Sequence, residues 1–410
     1  MSLYLDYNAS APILPEVLDT MIEAYKNTPG NADSRTHIYG TNAQKLVNES
    51  RASIASVLGI DPSELIFTSG STESNNTVIL GIQEYAEQTG KKHIVTTAIE
   101  HKAILEPLHY LESKGYKVDF IKPDTSGRVS AKDVLEKVSN QTCLVSVMFV
   151  NSETGIIQPV DEIGLELKKR GILFHVDATQ ALGKLNPEIR KLDYDLLSIA
   201  SHKIGGPQGI GALIRKRNTD YENPPIKQLM YGGGQERGFR PGTTPVALVA
   251  GFAKAVELSE KNLLSSTEKC KALKAKFFEA INGLTYEVNG DPEYCLPSTV
   301  NISIDGLDAE AAFLCLGDMY SFSNGSACNS SSHTLSYVLE AMGLSEKRKS
   351  EAIRLSWNGQ SDIDFSHFCC KIRNIIIKRE CHQWHSLSFL ESYFYLPSQM
   401  VFLKPVHNMW

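Results

Sequence analysis

The sequence lacks the segments that place a protein in or across a membrane. No apolar run in its 410 residues approaches the roughly 18 residues that a transmembrane helix needs. The first residues, MSLYLDYNASAPILP, also lack the basic stretch and the apolar core of a secretory signal peptide. We therefore expect a cytoplasmic protein without a membrane partner.

An excess of positive charge is also absent. The 47 Asp and Glu residues outnumber the 41 Lys and Arg residues, which gives a formal net charge of -6. Nonspecific binding to nucleic acid needs a basic face, so we expect no direct nucleic-acid partner.

Paired cysteine motifs are missing too. The eight cysteines form no CxxC pair and no repeated spacing, which disfavours a disulfide framework and a zinc ribbon. We expect most of them to be reduced, buried and inert, as for Cys315 in the apolar run AAFLCLG. A C-terminal group of possible ligands matches no standard zinc spacing, so we predict no metal site: Cys369, Cys370, Cys381, His382 and His385.

What the sequence does have is a regular alternation of strand and helix patterns. Apolar stretches rich in β-branched residues end in polar or glycine residues, which is typical of strands, at 64–70, 93–101, 117–123, 143–155, 172–180 and 195–203. Helix formers separate them, so we predict an α/β fold with a parallel sheet covered on both faces. A long helical stretch at 246–282 is expected to lead to a smaller lobe, with strands at 298–304 and 352–357 and helices at 308–319 and 334–343.

Polar residues gather where the predicted strands end, at the edge at which open α/β sheets bind ligands. Ser71 and Thr72 begin a helix, and could either hold an anion or simply cap that helix. Asp177 ends an apolar strand, where a carboxylate needs either a cationic ligand or a structural ion pair. Lys203 follows another apolar strand, where partial desolvation favours a nucleophilic amine. Together these are the parts that pyridoxal phosphate requires.

Nine segments, in order along the chain up to about residue 357, resemble the pyridoxal-phosphate-dependent cysteine desulfurases of the class V aminotransferase superfamily. The resemblance implies fold type I, with a mostly parallel seven-stranded sheet flanked by helices and a smaller α+β domain. The segments are YLDYNASAP (4–12), TSGSTESNN (68–76), EHKA (100–103), NSETG (151–155), HVDATQ (175–180), SHKIGGPQGIGAL (201–213), GGGQERGFRPGTTP (232–245), NGSACNSSS (324–332) and IRLS (353–356).

The resemblance also implies how the cofactor ring is held. Lys203 is expected to bond covalently to pyridoxal phosphate, and Asp177 to pair with the ring nitrogen. His101 is expected to stack on the ring and help move protons. Gln180 is expected to contact the ring phenolic oxygen, and Asn151 to lie beside the ring and the substrate carboxylate.

Further residues are implied for the phosphate and the substrate. Ser71, Thr72 and His202 are expected to bind the phosphate, and Thr243 to reach it from a partner subunit, which makes a homodimer part of the site. Arg354 is expected to hold the substrate carboxylate, which suits the geometry of its guanidinium group.

Cys328 lies in a Gly- and Ser-rich loop, SFSNGSACNSSSH, where a thiol can meet a substrate and then move away. The resemblance implies that Cys328 takes sulfur from L-cysteine as a persulfide, leaves L-alanine, and passes the sulfur to acceptor proteins. The pathway stays open among iron–sulfur cluster assembly, tRNA thiolation and DNA phosphorothioation. The alternatives are a selenocysteine lyase, another class V enzyme, or a non-catalytic scaffold.

The chain departs from the family pattern at several points. Ala200 stands where a Ser or Thr usually binds the phosphate, so either Ser201 compensates or one contact is lost. His333-Thr334 replaces the usual Glu-Pro, and RLSWNGQ follows in place of a segment ending in Gly-Arg.

We assign residues 15–255 to a large cofactor-binding domain and residues 1–14 with 256–375 to a small domain carrying the cysteine loop. Residues 376–410 form an atypical C-terminal tail.

Overall fold

The computed structural model describes residues 3–323, 335–359 and 362–382, with side chains described up to residue 377. Within these ranges the strands are β1 (Leu3–Tyr4), β2 (Leu65–Thr68), β3 (His93–Thr97), β4 (Lys117–Ile121), β5 (Thr142–Met148), β6 (Leu173–Asp177), β7 (Leu196–Ala200), β8 (Gly211–Arg215), β9 (Tyr286–Val288), β10 (Thr299–Ile304), β11 (Tyr320–Ser321) and β12 (Ala352–Ser356).

A seven-stranded sheet in the order β2-β8-β7-β6-β5-β3-β4 forms the centre of the molecule. Neighbouring strands from β7 to β4 are parallel, whereas β8 is antiparallel to both β7 and β2. The predicted α/β fold with a mostly parallel seven-stranded sheet is therefore confirmed. The six stretches predicted from their apolar pattern correspond to β2 to β7, with β5 beginning one residue earlier than predicted, at Thr142.

Helices cover both faces of this sheet, as the alternating pattern predicts. They are α1 (Pro15–Asn27), α2 (Ile38–Leu58), α3 (Ser71–Gly81), α4 (Gln83–Thr89), α5 (Lys102–Ser113), α6 (Ala131–Lys137), α7 (Val160–Arg170), α8 (Asn186–Ile189), α9 (Val246–Ala280), α10 (Ala309–Leu316), α11 (Tyr337–Ala341), α12 (Glu346–Ser350) and α13 (Ser366–His382). Successive strand residues face opposite sides, so Val145 packs with α2, α7 and α9, and Leu144 packs with α3, α4 and α5.

A second, smaller sheet has its own apolar core. Strands β9, β10 and β12 are antiparallel in the order β12-β10-β9, and the short strands β1 and β11 pair beside them in parallel. Ile302 and Trp357 pack there against Phe277 and Phe368, which lie on α9 and α13. The strands and helices predicted for the smaller lobe correspond to β10, β12, α10 and α11.

The 35-residue helix α9 joins the two cores. Phe252 near its start packs in the first core and Phe277 near its end packs in the second, whereas Leu264 between them is 82% exposed. The boundary drawn at 255/256 therefore falls inside α9. The boundary drawn at 375/376 falls inside α13, where Ile376 packs in the second core. None of the described helices combines the length and the apolar character needed to cross a membrane.

The expected burial of Cys315 is wrong, because its side chain is exposed. Helix α10 turns Ala309, Ala312 and Leu316 into the core, and a helical repeat of 3.6 residues leaves Cys315 on the other side. An apolar run on a short surface helix thus does not bury every residue in it.

Candidate active site

A cavity of about 350 Å³ opens at the carboxyl edge of the large sheet, beside β12 of the smaller one. It brings together residues that are far apart in sequence. Those predicted for the site that line it are Ser71, Thr72, His101, Asp177, Gln180, His202, Lys203 and Arg354. Strands β6 and β7 are neighbours and parallel, which explains why the residues that follow them meet at one edge.

Lys203 lies in the short 3-10 turn that directly follows β7. Its Nζ donates to the backbone carbonyls of Asn8 and Ala9, each at 2.7 Å. Both acceptors are uncharged and come from the N-terminal segment, so this segment orients the amine in the cavity.

Asp177 ends β6 with its carboxylate buried at 6% exposure. One carboxylate oxygen accepts from Asn75 Nδ2 at 2.7 Å, and the other accepts from the Thr179 backbone N–H at 3.0 Å. Donors to both oxygens hold the Asp177 carboxyl group in one orientation at the cavity.

Two histidines line the cavity beside Lys203 and Asp177. His101 Nδ1 accepts from the Ala103 N–H at 3.0 Å at the start of α5, so the ring N–H of His101 is at Nε2. Burial, together with the charge of Lys203 and the neighbouring His101, lowers the pKa of His202 to about 4. His202 is therefore neutral at pH 7.

The start of α3 forms the wall that carries Ser71 and Thr72. Gly70 precedes the helix, and its φ of 152° is a conformation that other residues rarely adopt. A Cβ built on Gly211 of the adjoining strand β8 would lie 2.8 Å from Gly70 Cα. Glycine at both positions thus permits close packing beneath a helix N-terminus, whose backbone N–H groups can hold an anion.

Arg354 on β12 closes the opposite side of the cavity. The side chain is only 2% exposed. One guanidinium nitrogen donates to Asp6 Oδ1 at 2.5 Å and another donates to the Ser152 carbonyl at 3.1 Å. Arg354 is therefore oriented from behind by Asp6 while it faces the cavity.

Gln180 lines the cavity and is hydrogen-bonded to Asn8 and Lys184. Its Nε2 donates to the Asn8 carbonyl at 2.9 Å, and its Oε1 accepts from Lys184 Nζ at 2.9 Å. The Asn8 carbonyl is the same group that accepts from Lys203, so the three side chains form one network.

Two of the predicted residues that the structure describes, Asn151 and Thr243, are not in the lining of this cavity. Asn151 is buried, and its amide is held by the Glu153 and Thr154 N–H groups and the Ile99 carbonyl, away from the cavity lining. Thr243 lies exposed on a loop outside the cavity. Cys328 lies outside the described residues, as do His333 and Thr334.

Ser201 does not reach the cavity either. Its hydroxyl is buried without a partner among the described residues, and a Cβ built on Gly206 would lie 2.0 Å from it. Ser201 therefore points into the packing against Gly206 and is in no position to replace the hydroxyl missing at Ala200.

The described residues on both sides of 324–334 lie at the cavity. Ser323 pairs with Arg354 through backbone hydrogen bonds in both directions. On the other side, Ser336 donates to the buried carboxylate of Glu153, and Tyr337 OH donates to the Glu100 carbonyl at 2.7 Å. The chain that carries Cys328 thus leaves and re-enters the described structure at the edge of the cavity.

Several functional side chains were not singled out from the sequence. Asn75, in the second turn of α3, holds Asp177, and Asn8 provides the carbonyl that Lys203 and Gln180 share. Glu153 lines the cavity, and burial raises the pKa of its carboxyl group. Asn75 and Asn8 lie in two of the segments that carry the family resemblance. Their location in these segments was the one feature of the sequence that could have drawn attention to them.

The residues present fit pyridoxal phosphate. The cavity offers the Lys203 amine for an aldehyde, the Asp177 carboxylate for a cationic ring nitrogen, and a helix N-terminus for a phosphate. Thr179 Oγ1, in the cavity lining, is buried without a hydrogen-bond partner among the described residues.

Within the described residues no group of three His, Cys, Asp or Glu side chains is placed to hold a metal ion. The side chains of Cys381, His382 and His385 lie outside them.

Comparison with known proteins identifies the class first. Residues 3–357 match the family Aminotransferase class-V, which covers most of the chain. A solved structure described as a NifS-like protein superposes with a TM-score of 0.85 at 34% identity, covering 92% of this chain and 100% of that one. The fold type I arrangement is therefore confirmed.

Similar proteins of known activity then show which group of this family the chain belongs to. The mitochondrial cysteine desulfurase of Saccharomyces cerevisiae is 40% identical over 367 residues, covering 88% of this chain and 73% of the relative. Cysteine desulfurase IscS of Cronobacter sakazakii is 37% identical over 372 residues, covering 89% of this chain and 91% of the relative. The chain belongs to the pyridoxal-phosphate-dependent cysteine desulfurases of the class V aminotransferase family.

Proposed function

We propose that the chain converts L-cysteine to L-alanine and receives the sulfur on Cys328 as a persulfide. The observation that carries this proposal is the meeting of the Lys203 amine and the Asp177 carboxylate in one cavity, at the ends of neighbouring parallel strands. Family membership supplies the chemistry that this pair serves.

Pyridoxal phosphate bound in the cavity supplies a conjugated ring whose cationic nitrogen withdraws electron density from the bound amino acid. Asp177 would pair with that nitrogen, and Asn75 and the Thr179 N–H fix the orientation of its carboxyl group. The Lys203 amine would serve as the base that removes the α-proton of the bound amino acid. Arg354 binds the substrate carboxylate, with Asp6 fixing the plane of the guanidinium group.

Sulfur leaves the substrate by attack of the Cys328 thiolate on the cysteine sulfur. A new S–S bond forms, the Cβ–S bond breaks, and its electron pair stays on the three-carbon skeleton, which takes up protons and departs as alanine. The balance is L-cysteine plus a protein thiol giving L-alanine plus a protein persulfide, with no external oxidant. Ser323 and Tyr337 support this role because they tie both flanks of the loop to the cavity.

The test is alanine release and persulfide formation in Cys328→Ser, with Cys315→Ser as the matched control because Cys315 is exposed on α10. We expect Cys328→Ser to lose persulfide and to release alanine at least about 100-fold more slowly, and Cys315→Ser to behave as the unmodified chain. Undiminished alanine release in Cys328→Ser overturns the persulfide route. It turns the assignment toward a selenocysteine lyase or another class V enzyme.

The proposal includes a homodimer in which Thr243 of each subunit reaches the phosphate in the other. Two contacts support a preset position for its loop. Arg51 holds Glu236 through two hydrogen bonds of 2.6 and 2.8 Å, and Arg240 holds Glu73 at the start of α3. These ion pairs fasten the loop to α2 and α3 and leave Thr243 exposed.

The proposed partners are L-cysteine and a sulfur-acceptor protein, with the pathway open among iron–sulfur assembly, tRNA thiolation and DNA phosphorothioation. A direct nucleic-acid or membrane partner stays outside the proposal. The cytoplasmic location also stays a prediction, since one relative above is named as mitochondrial and the other is a bacterial protein. Pull-down followed by transfer of labelled sulfur identifies the acceptor.

A further inference from the structure

A lysine outside the substrate cavity contacts one of the predicted cofactor residues. Lys184 follows Gln180 by one turn, and its Nζ donates to Gln180 Oε1 at 2.9 Å. Gln180 lines the substrate cavity, whereas Lys184 lines a second cavity of about 200 Å³ between α9 and the smaller sheet. Lys203 lines both cavities, so Lys184 lies on the side of the active site that faces away from the substrate cavity.

The contact fixes which edge of the Gln180 amide faces the site. The Lys184 amine donates in this contact, and the amide nitrogen carries only N–H donors, so the amine meets the amide oxygen and the amide N–H₂ points to the other side. There Nε2 donates to the Asn8 carbonyl at 2.9 Å, the same carbonyl that accepts from Lys203 at 2.7 Å. Lys184 and Asn8 thus hold the two ends of one amide in a single orientation.

The surroundings of Lys184 disfavour a charged side chain, so packing alone does not explain why a lysine lies here. Desolvation, together with the nearby Lys203 and Arg354 charges, lowers the pKa of Lys184 to about 7, while Cys270 acts in the opposite direction. Among the described residues its hydrogen-bond partner is an uncharged amide and not a carboxylate. An apolar side chain of the same length satisfies such a site at lower cost, so the amine has a use beyond filling space.

We propose that Lys184 is a positioning residue that holds the Gln180 amide with its N–H₂ edge toward Lys203 and the cofactor's phenolic oxygen. This inference rests on the proposed function, because it assigns the target of Gln180 from that function. Removing the amine leaves Gln180 Oε1 buried without its donor, and the amide then turns or shifts to find another. The N–H₂ edge no longer has a fixed direction.

The experiment compares Lys184→Met with Lys184→Gln, which keeps an N–H₂ donor, and with Lys274→Met as the matched control. Lys274 donates to Cys295 Sγ and to the Leu296 carbonyl, each at 3.2 Å, and both of these residues line the second cavity. No hydrogen bond joins Lys274 to Gln180 among the described residues. The readouts are the dissociation constant of pyridoxal phosphate for the cofactor-free protein, the maximum of its visible absorption band once bound, and the unfolding midpoint.

We expect Lys184→Met to weaken cofactor binding roughly three- to tenfold and to move the absorption maximum, with Lys184→Gln lying between it and the unmodified chain. Lys274→Met leaves both readouts unchanged. In a Gln180→Ala background, Lys184→Met adds nothing further, because residues that act through one another are not additive.

Equal effects of Lys184→Met in both backgrounds, or no effect in the unmodified background, overturn the inference. A change in the unfolding midpoint alone also overturns it, since packing alone explains that result. Failure of the proposed function looks different: the unmodified chain then binds no pyridoxal phosphate and has no visible band, and the inference falls with it.

Discussion

At the scale of single residues, the site depends on side chains whose hydrogen bonds fix them before a ligand arrives. Asp177 accepts from Asn75 and a backbone N–H, and Arg354 is held by Asp6 and the Ser152 carbonyl. Such groups need little rearrangement when they bind a charged partner, which is how enzymes hold electrostatic groups in advance.

Ala200 gives the first residue-scale prediction. Side chains alternate along a strand, so Ala200 lies on the same face of β7 as Ser198. The Ser198 hydroxyl forms a hydrogen bond of 3.0 Å with His175, which lies on β6 two residues before Asp177. We expect Ala200→Ser to place a hydroxyl near the start of α3 and to tighten pyridoxal phosphate binding roughly three- to tenfold. Titration of the cofactor-free protein measures this.

Ser201→Ala is the matched control for Ala200→Ser, because the Ser201 hydroxyl faces Gly206 outside the cavity. Its cofactor affinity should equal that of the unmodified chain. Weaker binding in Ser201→Ala, or no gain in Ala200→Ser, contradicts the view that one phosphate contact is missing here.

Glu100 gives a prediction on pH. Burial raises the pKa of its carboxyl group to about 8, with the nearby Asp177 charge acting in the same direction. Between the ordinary pKa near 4.5 and about 8, the folded chain therefore holds a proton that the unfolded chain releases, and stability falls as the pH rises through this window. Glu100→Gln keeps the acceptor for the Met148 N–H without the titration.

We expect the free energy of unfolding of the unmodified chain to fall relative to Glu100→Gln by a few kcal/mol between pH 5 and 8. Denaturant unfolding at a series of pH values measures this difference. A constant difference across the range is inconsistent with a protonated Glu100.

A position at the cavity was predictable for Lys203, Asp177 and Arg354, which all line it, and their roles stay predictions. Asn151 shows the limit of such prediction. Its amide serves the turn formed with Glu153 and Thr154, and a sequence does not reveal which hydrogen bonds a polar side chain has already made. Asn75 and Lys184 were missed because they act on other side chains and not on the ligand.

At the scale of secondary-structure elements, the parallel strands were predictable and the antiparallel one was not. Strands β5, β6 and β7 are mostly apolar, are buried on both faces and are separated by helices, and this pattern marks them. Strand β8 follows β7 after a glycine-rich turn, and its first residue, Gly211, is a glycine that strands usually exclude. It is required there because Ile199 O and Gly70 leave no room for a Cβ.

Helix α9 gives the element-scale prediction, because it links the two cores through a stretch exposed at Leu264. We expect Leu264→Pro to destabilise the fold by about 3 kcal/mol or more, since proline removes a helix hydrogen bond and clashes with the preceding turn. Leu264→Ala, the control, should change stability by less than about 0.5 kcal/mol. Denaturant unfolding measures both.

Equal stability of Leu264→Pro and Leu264→Ala is the result that contradicts a continuous helix between the cores. The domain limits at 255/256 and 375/376 remain predictions, and both fall inside helices. The apolar pattern shows where helices run, but it does not show which core each half of a long helix joins.

At the scale of the whole molecule, the two sheets enclose the site between them: β6 and β7 bring Asp177 and Lys203, and β12 brings Arg354. If the proposed homodimer is correct, Thr243 adds a fourth element from a second copy. A mixed dimer tests this. Lys203→Ala subunits lack the amine but donate Thr243, and Thr243→Ala subunits keep the amine but donate no hydroxyl.

We expect mixed dimers, isolated by two different tags, to recover about half of the unmodified activity, since one of two sites is then complete. The assay is run at a cofactor concentration that leaves the Thr243→Ala homodimer mostly unloaded. Activity of the mixed dimer no greater than the mean of the two homodimers rules out a shared site.

The central claim is that Lys203, facing Asp177 in the cavity, is the residue that bonds to pyridoxal phosphate. Reducing the loaded protein with borohydride makes that bond permanent, and peptide mass analysis then locates it. We predict the cofactor mass on the peptide containing Lys203, with none on the neighbouring Lys184. Cofactor mass on Lys184 or another lysine, or a protein that loads cofactor without any covalent bond, contradicts the account.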